Sequence, residues 1–405
     1  MRAILDSISK PGLESGLMPT TAVPTVNAQS QQASCWLALA LTPGLGPTRV
    51  RKLIEHFGNP ENVFRASLTE LEATGMQSVS AQSLATGKSL ELAQQQWAKA
   101  IEVGAKIITL GDPEYPLRLK EIYDPPVVLF VRGDVEILSR PGIAVVGTRH
   151  PTPYGTGMAE RLSTDLVVHG LVIISGMARG VDSAAHRGTL AARGKTVAVF
   201  GTGIDVMYPK ENTRLAEQIL ALGGALISEF PIGTFAAPQN FPIRNRIISG
   251  MSVGVLVVEA AEYSGTRITA RCALEQNRDV YAVPGNVTNK GSWGPNTLIK
   301  QGAKLVATWE DVWEDLPADV QAALTPAANE SSESQTASLF PDETISPHER
   351  RILSMLKPDE STHIDERVER LEPELSSSEI FAALFELELN GKVKQLPGKN
   401  FVKSF

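Results

Sequence analysis

With 405 residues, the chain is longer than one ordinary hydrophobic core accommodates, so two or three domains are predicted. Its two cysteines, Cys35 and Cys272, exclude a disulfide framework and lack the paired spacing of a zinc site. No apolar run reaches the ~18 residues that a membrane span requires, so we expect a cytoplasmic protein with no membrane partner.

Charge is distributed unevenly along the chain. The net charge is −7, yet residues 141–310 contain 16 Lys or Arg against 12 Asp or Glu and carry +4. The two flanking segments together therefore carry −11. A basic middle segment between acidic flanks favours an anionic ligand near the centre of the chain.

The N-terminal third is predicted to be a tail followed by helices. Residues 1–33 mix Ser, Thr, Gln, Pro and Gly without periodicity, which is typical of a disordered tail. Residues 34–103 have helical periodicity, and a Pro-Gly-Leu-Gly-Pro turn at 43–47 leads into three basic residues. This turn is similar to a helix-hairpin-helix, whose amides hold a nucleic-acid phosphate, but a structural hairpin of the sterile-alpha-motif type fits equally well.

Residues 104–310 are predicted to form the central domain. Two short strands, Lys106–Leu110 and Val127–Val131, precede a regular alternation of strands and helices. The alternating strands are Ile143–Gly147, Leu171–Ser175, Thr196–Gly201, Ala225–Glu229, Val253–Val258 and Asp279–Pro284. Short connectors between alternating elements predict an α/β fold with a doubly wound parallel, Rossmann-like sheet. The strand at 253–258 is apolar except at Gly254, so we expect it to be central.

The carboxyl ends of these strands carry the candidate binding residues, because doubly wound sheets bind ligands at that edge. Glycine-containing turns close five strands, and cationic residues lie near them in sequence. The predicted phosphate-binding residues are Gly147, Thr148, Arg149, Ser175, Gly176, Arg179, Gly201, Thr202, Lys210, Arg244, Asn245, Arg246, Ser264, Gly265 and Thr266. The last three open a helix, whose free amides and positive end attract an anion.

Phe241 lies just before the Arg-Asn-Arg segment at 244–246, and no acid lies between Phe230 and Gly254 to neutralise these arginines. An aromatic ring beside guanidinium groups is a platform for unpaired bases. A core aromatic at a helix entrance explains Phe241 equally well from the sequence alone.

Motifs of nucleotide chemistry are absent from the sequence. There is no G-x-G-x-x-G after the first strand and no Walker spacing. Asp182 and His186 lie at i and i+4 on a predicted helix, which is a candidate acid–histidine pair, although capping and packing is the favoured interpretation. We therefore predict a binding protein rather than an enzyme, with no catalytic residue, cofactor or metal.

The C-terminal segment is predicted to be a linker at 311–346 followed by a winged helix at 347–405. Helices are expected at Pro347–Leu356, His363–Leu371 and Ser377–Asn390, with a hairpin at Val393–Val402. The third helix carries Glu379, Glu386 and Glu388 and no Lys or Arg. Residues 347–405 carry a net charge of −2, so contact with a protein is favoured over duplex DNA.

The central segment resembles the DprA/Smf family, the DNA-processing proteins of bacterial transformation. The runs that carry this resemblance are IAVVGTRHPTPYG, LVIISGMARGVDSAAHRGTL, TVAVFGTGIDVMYP and FPIRNRIISGMSVGVLVVEAAEYSGTRITARCALE, within residues 105–308. The resemblance implies a core that forms a homodimer, binds single-stranded DNA in a basic pocket and loads the recombinase RecA during natural transformation.

The resemblance also implies DNA contacts for individual residues. These are Arg149, Ser175, Gly176, Lys210 and the segment 244–246, with Phe241 at a base-stacking position. The chain departs from the family pattern at Thr148 and Thr266, where serine is commoner, and at Arg267, where leucine is commoner. Where some relatives have a lysine before the aromatic, residues 238–240 are Pro, Gln and Asn.

Two other functions stay open at this point. LOG-type phosphoribohydrolases also hold a nucleotide phosphate at a Gly-Thr helix start, but their two glutamates are replaced here by Ile268 and Thr269. Without those acids, cleavage of an N-glycosidic bond has no general acid. The third hypothesis is an interaction scaffold in which the acidic winged helix binds a partner protein.

Overall fold

The computed structural model describes residues 28–262, 264–324, 346–356, 362–363, 376–389, 392–396 and 398–403. Most of the predicted tail, residues 1–27, lies outside the described residues. A helix starts at Ala28, inside the segment predicted as tail, so that prediction extends too far.

Six helices form the N-terminal module. They are α1 (Ala28–Leu41), α2 (Pro47–Phe57), α3 (Pro60–Arg65), α4 (Leu68–Ala73), α5 (Ser78–Ala85) and α6 (Lys88–Glu102). The turn between α1 and α2 is fixed from two sides: Ser80 donates its hydroxyl hydrogen to the carbonyl of Pro43 at 2.6 Å, and Arg49 Nη1 donates to the carbonyl of Gly44 at 2.8 Å. A DNA-binding role for this turn stays a prediction.

The central sheet has nine strands. They are β1 (Lys106–Thr109), β2 (Val128–Gly133), β3 (Gly142–Val146), β4 (Val172–Ser175), β5 (Thr196–Val199), β6 (Ala225–Ser228), β7 (Gly254–Val257), β8 (Asp279–Ala282) and β9 (Lys304–Leu305). Their order is β1-β2-β6-β5-β4-β3-β7-β8-β9. The run from β6 to β9 is parallel, whereas β1 and β2 extend it in antiparallel fashion. The predicted doubly wound α/β fold is confirmed.

Nine helices accompany the strands within the described part of residues 104–324. They are α7 (Leu117–Lys120), α8 (Pro153–Val168), α9 (Val181–Ala191), α10 (Thr213–Ala221), α11 (Asn240–Met251), α12 (Thr266–Glu275), α13 (Trp293–Lys300), α14 (Trp309–Trp313) and α15 (Ala318–Leu324).

Strand β3 shows why the sheet needs helices on both faces. Its side chains alternate: Ile143 and Val145 belong to a cluster with α8 and α9, whereas Ala144 and Val146 belong to a cluster with α11 and α12. All five residues of β3 are buried. A strand buried on both faces has no polar alternation, which is why it reads as one apolar run in the sequence.

The predicted linker begins too early at 311. Helix α14 overlaps the start of that segment, and helix α15 lies within it. Val312, Leu316 and Val320 are buried in the cluster that contains Ile143. These apolar side chains give the segment a place on the sheet. Residues 325–345 of the predicted linker lie outside the described residues.

The C-terminal module contains α16 (Pro347–Met355), β10 (Thr362–His363), α17 (Ser377–Leu389), β11 (Val393–Leu396) and β12 (Asn400–Lys403). The predicted hairpin is present, since β11 and β12 pair antiparallel. His363 was expected to begin a helix, but it pairs with Asn400 in the small sheet. The rest of that predicted helix, 364–371, lies outside the described residues. No helix in the described ranges combines the length and hydrophobicity that a membrane span requires.

Candidate functional site

A crevice opens where strands β3 and β7 lie side by side. The chain runs from β3 outward through β4, β5 and β6, then crosses back to β7. Helix α8, which follows β3, packs on one face of the sheet, and α12, which follows β7, packs on the other. Because the two connections diverge, they leave a cavity of about 830 Å³, here called the crevice, at the carboxyl ends of the strands.

The crevice gathers residues from five separate segments. They are the turn after β3, the turn after β4, the first two turns of α11, the N-terminal end of α12 and the turn that leads into α13. Of the predicted binding residues, those that line it are Gly147, Thr148, Arg149, Phe241, Arg244, Asn245, Ser264, Gly265 and Thr266. The fold therefore brings together nine predicted residues from three separate stretches of the sequence, 147–149, 241–245 and 264–266.

The N-terminal end of α12 forms one wall of the crevice. Ser264 accepts a hydrogen bond from the amide of Thr266 at 3.2 Å and donates its own hydroxyl hydrogen to Thr266 Oγ1 at 2.9 Å. Gly265 is exposed, and its N–H finds no acceptor among the described residues. An exposed amide at the positive end of a helix of this length is suited to an anion.

Arg244 lies at the base of the crevice and is only 4% exposed. Its Nη1 donates to the carbonyl of Val199 at 2.9 Å, and its buried Nε has no partner in the described part of the chain. Burial lowers the pKa of this guanidinium to about 10, while the nearby carboxylate of Asp182 opposes that shift. The group therefore stays a cation at neutral pH.

Gly176 makes room for Arg244. A Cβ at this position would overlap the guanidinium group of Arg244, so any other residue would displace it. The amide of Gly176 donates to Asp182 Oδ2 at 3.2 Å, so it is not free for a phosphate. The predicted role of Gly176 is corrected accordingly: this residue positions an arginine instead of binding through its amide.

The Phe241 ring lies next to the guanidinium group of Arg149 and next to the ring of Tyr208. Arg149 Cζ lies 5.6 Å from the centroid of its ring, and the Tyr208 ring centroid lies 5.5 Å away. A Cβ at Gly201 would approach Phe241 Cδ1 to 2.8 Å, so the ring packs directly on the backbone after β5. Phe241 is half-buried and lines the crevice, an arrangement that fits a stacking platform better than a core aromatic.

Arg179 lies beside the crevice with Tyr208 and Pro209, and Lys210 is the next residue along the chain. Arg179 and Lys210 are both exposed, and Arg179 forms an ion pair with Glu211, the residue after Lys210. An exposed pair of this kind contributes little to stability and is readily exchanged for another anion.

Two predicted contacts point away from solvent. Ser175 is fully buried, and its hydroxyl donates to the carbonyl of Val145 on the neighbouring strand at 2.7 Å. Thr202 is also buried, and its hydroxyl donates to the carbonyl of Val206 at 2.6 Å. Both hydroxyl hydrogens are used inside the protein, so the predicted phosphate contacts of these two side chains are wrong.

Arg246 is also not part of the crevice. It is 8% exposed and forms ion pairs with Glu229 and with Asp124, the latter at 3.1 Å from Nε to Oδ2. Burial raises the pKa of Glu229, and the Arg246 cation opposes that rise. The sequence segment around Arg246 contains no acid, but the fold supplies two, so the prediction of a free phosphate-binding cation at 246 is wrong.

Asp182 and His186 do not interact with one another. Asp182 Oδ2 accepts from the amides of Gly176 and Ala178, and burial raises its pKa. His186 Nδ1 lies 2.8 Å from Thr196 Oγ1, and burial lowers the pKa of this imidazole to about 3. The structure agrees with capping and packing roles for both residues.

Several residues of the site had no signal in the sequence. Glu259, 1% exposed, holds the start of α8 by accepting from the amide and hydroxyl of Thr152 at 2.8 and 2.6 Å. Lys290 and Trp293 complete the far wall of the crevice.

The carboxylates that line the crevice belong to Asp182 and Glu262, whereas Ile268 and Thr269 occupy the positions where a LOG-type enzyme has glutamates. No group of three or more metal-ligating side chains occurs among the described residues.

The fold and the crevice define a doubly wound α/β protein with a crevice lined by basic residues at its switch point and an accessory winged helix. Residues 106–317 match the family model described as DNA recombination-mediator protein A, and residues 327–399 match the DprA winged helix domain. The chain belongs to the DNA recombination-mediator protein A (DprA/Smf) family, as the sequence resemblance indicated.

Individual relatives agree with this assignment. Protein Smf of Synechocystis sp. is 34% identical over 406 residues, covering 92% of this chain and 99% of that protein. Protein Smf of Escherichia coli is 42% identical over 289 residues, covering 70% and 74%. The X-ray structure of DprA from Streptococcus pneumoniae has a TM-score of 0.62 at 35% identity and covers 70% of this chain and 98% of its own.

Replacing Arg246 with methionine should destabilise the protein by breaking the ion pair with Glu229, which lies outside the crevice. Breaking a buried ion pair costs about 3–5 kcal/mol, because Glu229 is left without its cation. Without Arg246 the pKa of Glu229 rises further, so the folded variant takes up a proton and regains stability as the pH falls from 7 towards about 4.5. Urea unfolding across this pH range measures both effects.

The matched control is Arg271→Met, since the Arg271 side chain is 80% exposed. It should change the free energy of unfolding by less than about 0.5 kcal/mol. If Arg246→Met were as stable as this control, the buried ion pair would not have the structural role described above.

Proposed function

We propose that the chain binds single-stranded DNA along the crevice and loads a recombinase onto the bound strand. The observation that carries this proposal is the convergence of Arg149, Arg244, Phe241 and the N-terminal end of α12 on one cavity. Cations and free amides hold phosphates, whereas an accessible ring needs a base that is not paired. A flexible single strand meets both requirements.

The arrangement of charges supports a path for the strand. Arg179 lies beside Phe241 and Tyr208, Arg149 lies over the Phe241 ring, and Gly265 with its free amide lines the same crevice. A backbone that passes these groups in turn meets several contacts for phosphates, with Arg244 as a fixed positive charge below. Binding therefore requires no rearrangement of Arg244, because its side chain is already buried and hydrogen-bonded to the carbonyl of Val199.

Family membership supports the finer part of the proposal. The matching family is named as a recombination mediator, and relatives in Bacillus subtilis and Streptococcus pneumoniae are named as DNA processing proteins. We propose that this chain protects incoming single strands in the cytoplasm during natural transformation, acts as a homodimer through its central domain and loads RecA. We further propose that it acts by binding and not as an enzyme.

The C-terminal module supports a contact with protein. On α17, Phe381 and Phe385 are 48% and 62% exposed and lie one helical turn apart. Glu386 is exposed beside them, whereas Glu379 caps the helix and Glu388 accepts from the amide of Gln395. Exposed aromatics next to an acid suit a protein partner better than a phosphate backbone.

Arg149→Ala should weaken binding of labelled oligo(dT) by about 5- to 30-fold, because it removes a phosphate contact and the cation over Phe241. The slope of log affinity against log salt should become less negative by about 0.7, the value for one lost phosphate contact on a single strand. Fluorescence anisotropy at two salt concentrations measures both quantities.

Arg271→Ala is the control for Arg149→Ala, since it removes the same charge from an exposed position outside the crevice. An equal loss of affinity in the two variants would show that only net charge matters. A gel shift with single- and double-stranded oligonucleotides should show preference for the single strand, and equal binding would contradict the stacking role of Phe241.

Glu211→Gln should strengthen oligo(dT) binding by roughly two- to fivefold at low salt, because Arg179 loses its intramolecular partner and becomes available to a phosphate. Glu217→Gln is the matched control, because Glu217 is an exposed glutamate of α10 and forms no ion pair with any residue in the described ranges. A gain of the same size in the control would mean that Arg179 has no particular part in binding.

The double variant Phe381→Ala and Phe385→Ala should reduce recombinase loading several-fold while oligo(dT) affinity stays the same, because these rings lie on the C-terminal module and not in the crevice. The rate of RecA filament formation on oligonucleotide covered with single-strand-binding protein is the measurement. Unchanged filament formation would show that Phe381 and Phe385 do not contact the recombinase. A loss of oligo(dT) affinity would show that these two residues belong to the DNA-binding site.

A further inference from the structure

The wall of the crevice opposite Phe241 contains a second arginine–aromatic pair. Arg267 Cζ lies 5.5 Å from the centroid of the Trp293 ring, close to the 5.6 Å between Arg149 and Phe241. Trp293 lines the crevice and is 38% exposed even with Arg267 over its ring. The Trp293 ring therefore keeps accessible surface inside the crevice.

The backbone holds Trp293 in place before any ligand arrives. The residue opens α13, directly after a 3₁₀ turn at Lys290–Ser292. The amide of Ala260 donates to the carbonyl of Gly291 at 2.7 Å, and the amide of Gly294 donates to the carbonyl of Ala260 at 2.8 Å. The backbone on both sides of Trp293 is therefore fixed to the loop after β7 that leads to α12.

Arg267 is held from the same loop. It lies in the first turn of α12, and its Nη1 donates to the carbonyl of Glu262 at 2.9 Å. Since a ring and a cation that are fixed in advance lose little conformational entropy on binding, the pair is suited to receive a flat, polarisable group.

The charges on this wall indicate whether it binds a phosphate or a base. Lys290 and Arg267 are exposed cations, and Glu262 is the exposed acid that lines the same part of the crevice. Glu262 offsets one of the two cations and leaves a net charge of +1 on this wall, so charge alone does not make it a strong phosphate site. The surface that remains distinctive is the indole ring, which favours a base over a phosphate.

We propose that Trp293, with Arg267 over its ring, is a second stacking platform that holds another base of the single strand bound by Phe241. This inference rests on the proposed function and adds a binding residue on the other side of the crevice. The strand crosses from Phe241 past the N-terminal end of α12, which contacts the phosphate between the two stacked bases. The crevice of about 830 Å³ is large enough for more than one nucleotide unit.

Tryptophan fluorescence provides a direct test with the whole 405-residue chain. Of the five tryptophans, Trp293 is the one that lines the crevice. Stacking of a base on the indole should quench part of the emission when oligo(dT) is added. Trp293→Phe should lose that quench while oligo(dT) still binds by anisotropy, because phenylalanine keeps a ring for stacking. Trp97→Phe, in the N-terminal module, should keep the quench.

Affinity gives a second measurement. Trp293→Ala should bind oligo(dT) about 5- to 150-fold more weakly, the range measured for loss of one base–aromatic stack. A quench that survives in Trp293→Phe, or an unchanged affinity in Trp293→Ala, overturns the second platform. If instead wild-type protein binds no oligo(dT), or Arg149→Ala binds as wild type does, the proposed function itself fails, so the two failures are distinguishable.

Discussion

The burial of the Arg244 guanidinium is the constraint on which the crevice depends. A cation that is 4% exposed is costly unless the fold compensates it, and here the compensation comes from the carbonyl of Val199 and the charge of Asp182. Gly176 supplies the space by lacking a side chain. The buried Nε of Arg244 has no partner among the described residues, so this compensation is incomplete.

Once Arg244 is fixed, the orientation of the whole helix α11 follows. Phe241 lies one turn earlier on the same face and is directed to Gly201 and Arg149. Arg246 is two residues further on, about 200° around the helix axis, so it enters the interior on the opposite face. Two arginines that look equivalent in the sequence thus differ completely in role: one forms the floor of the crevice and the other an internal ion pair with Glu229.

The fold was largely predictable, because its determinants are local. Apolar runs such as 143–147 and 253–258 are strands buried on both faces, and glycine-rich turns close them at the edge where ligands bind. Arg149 and Phe241 could be selected because both follow strand ends or begin helices. Their meeting in space depends on the strand order and on the burial of Arg244, which orients α11.

What could not be predicted depends on contacts between distant segments. Ser175 closes a strand, but its direction towards Val145 is a property of the neighbouring strand. The acids that neutralise Arg246 come from residues 124 and 229, outside its own helix. Trp293 lies after a turn whose position is set by hydrogen bonds to the loop after β7. Local periodicity carries no information about any of these pairings.

A crystal structure of the 405-residue chain with a short oligo(dT) would show directly whether the crevice holds a single strand. We expect the sugar-phosphate backbone to pass Arg149 and the amide of Gly265, with a base against Phe241 and the Arg244 side chain unmoved below it. A strand bound at the opposite edge of the sheet, or on the C-terminal module with the crevice empty, would contradict it.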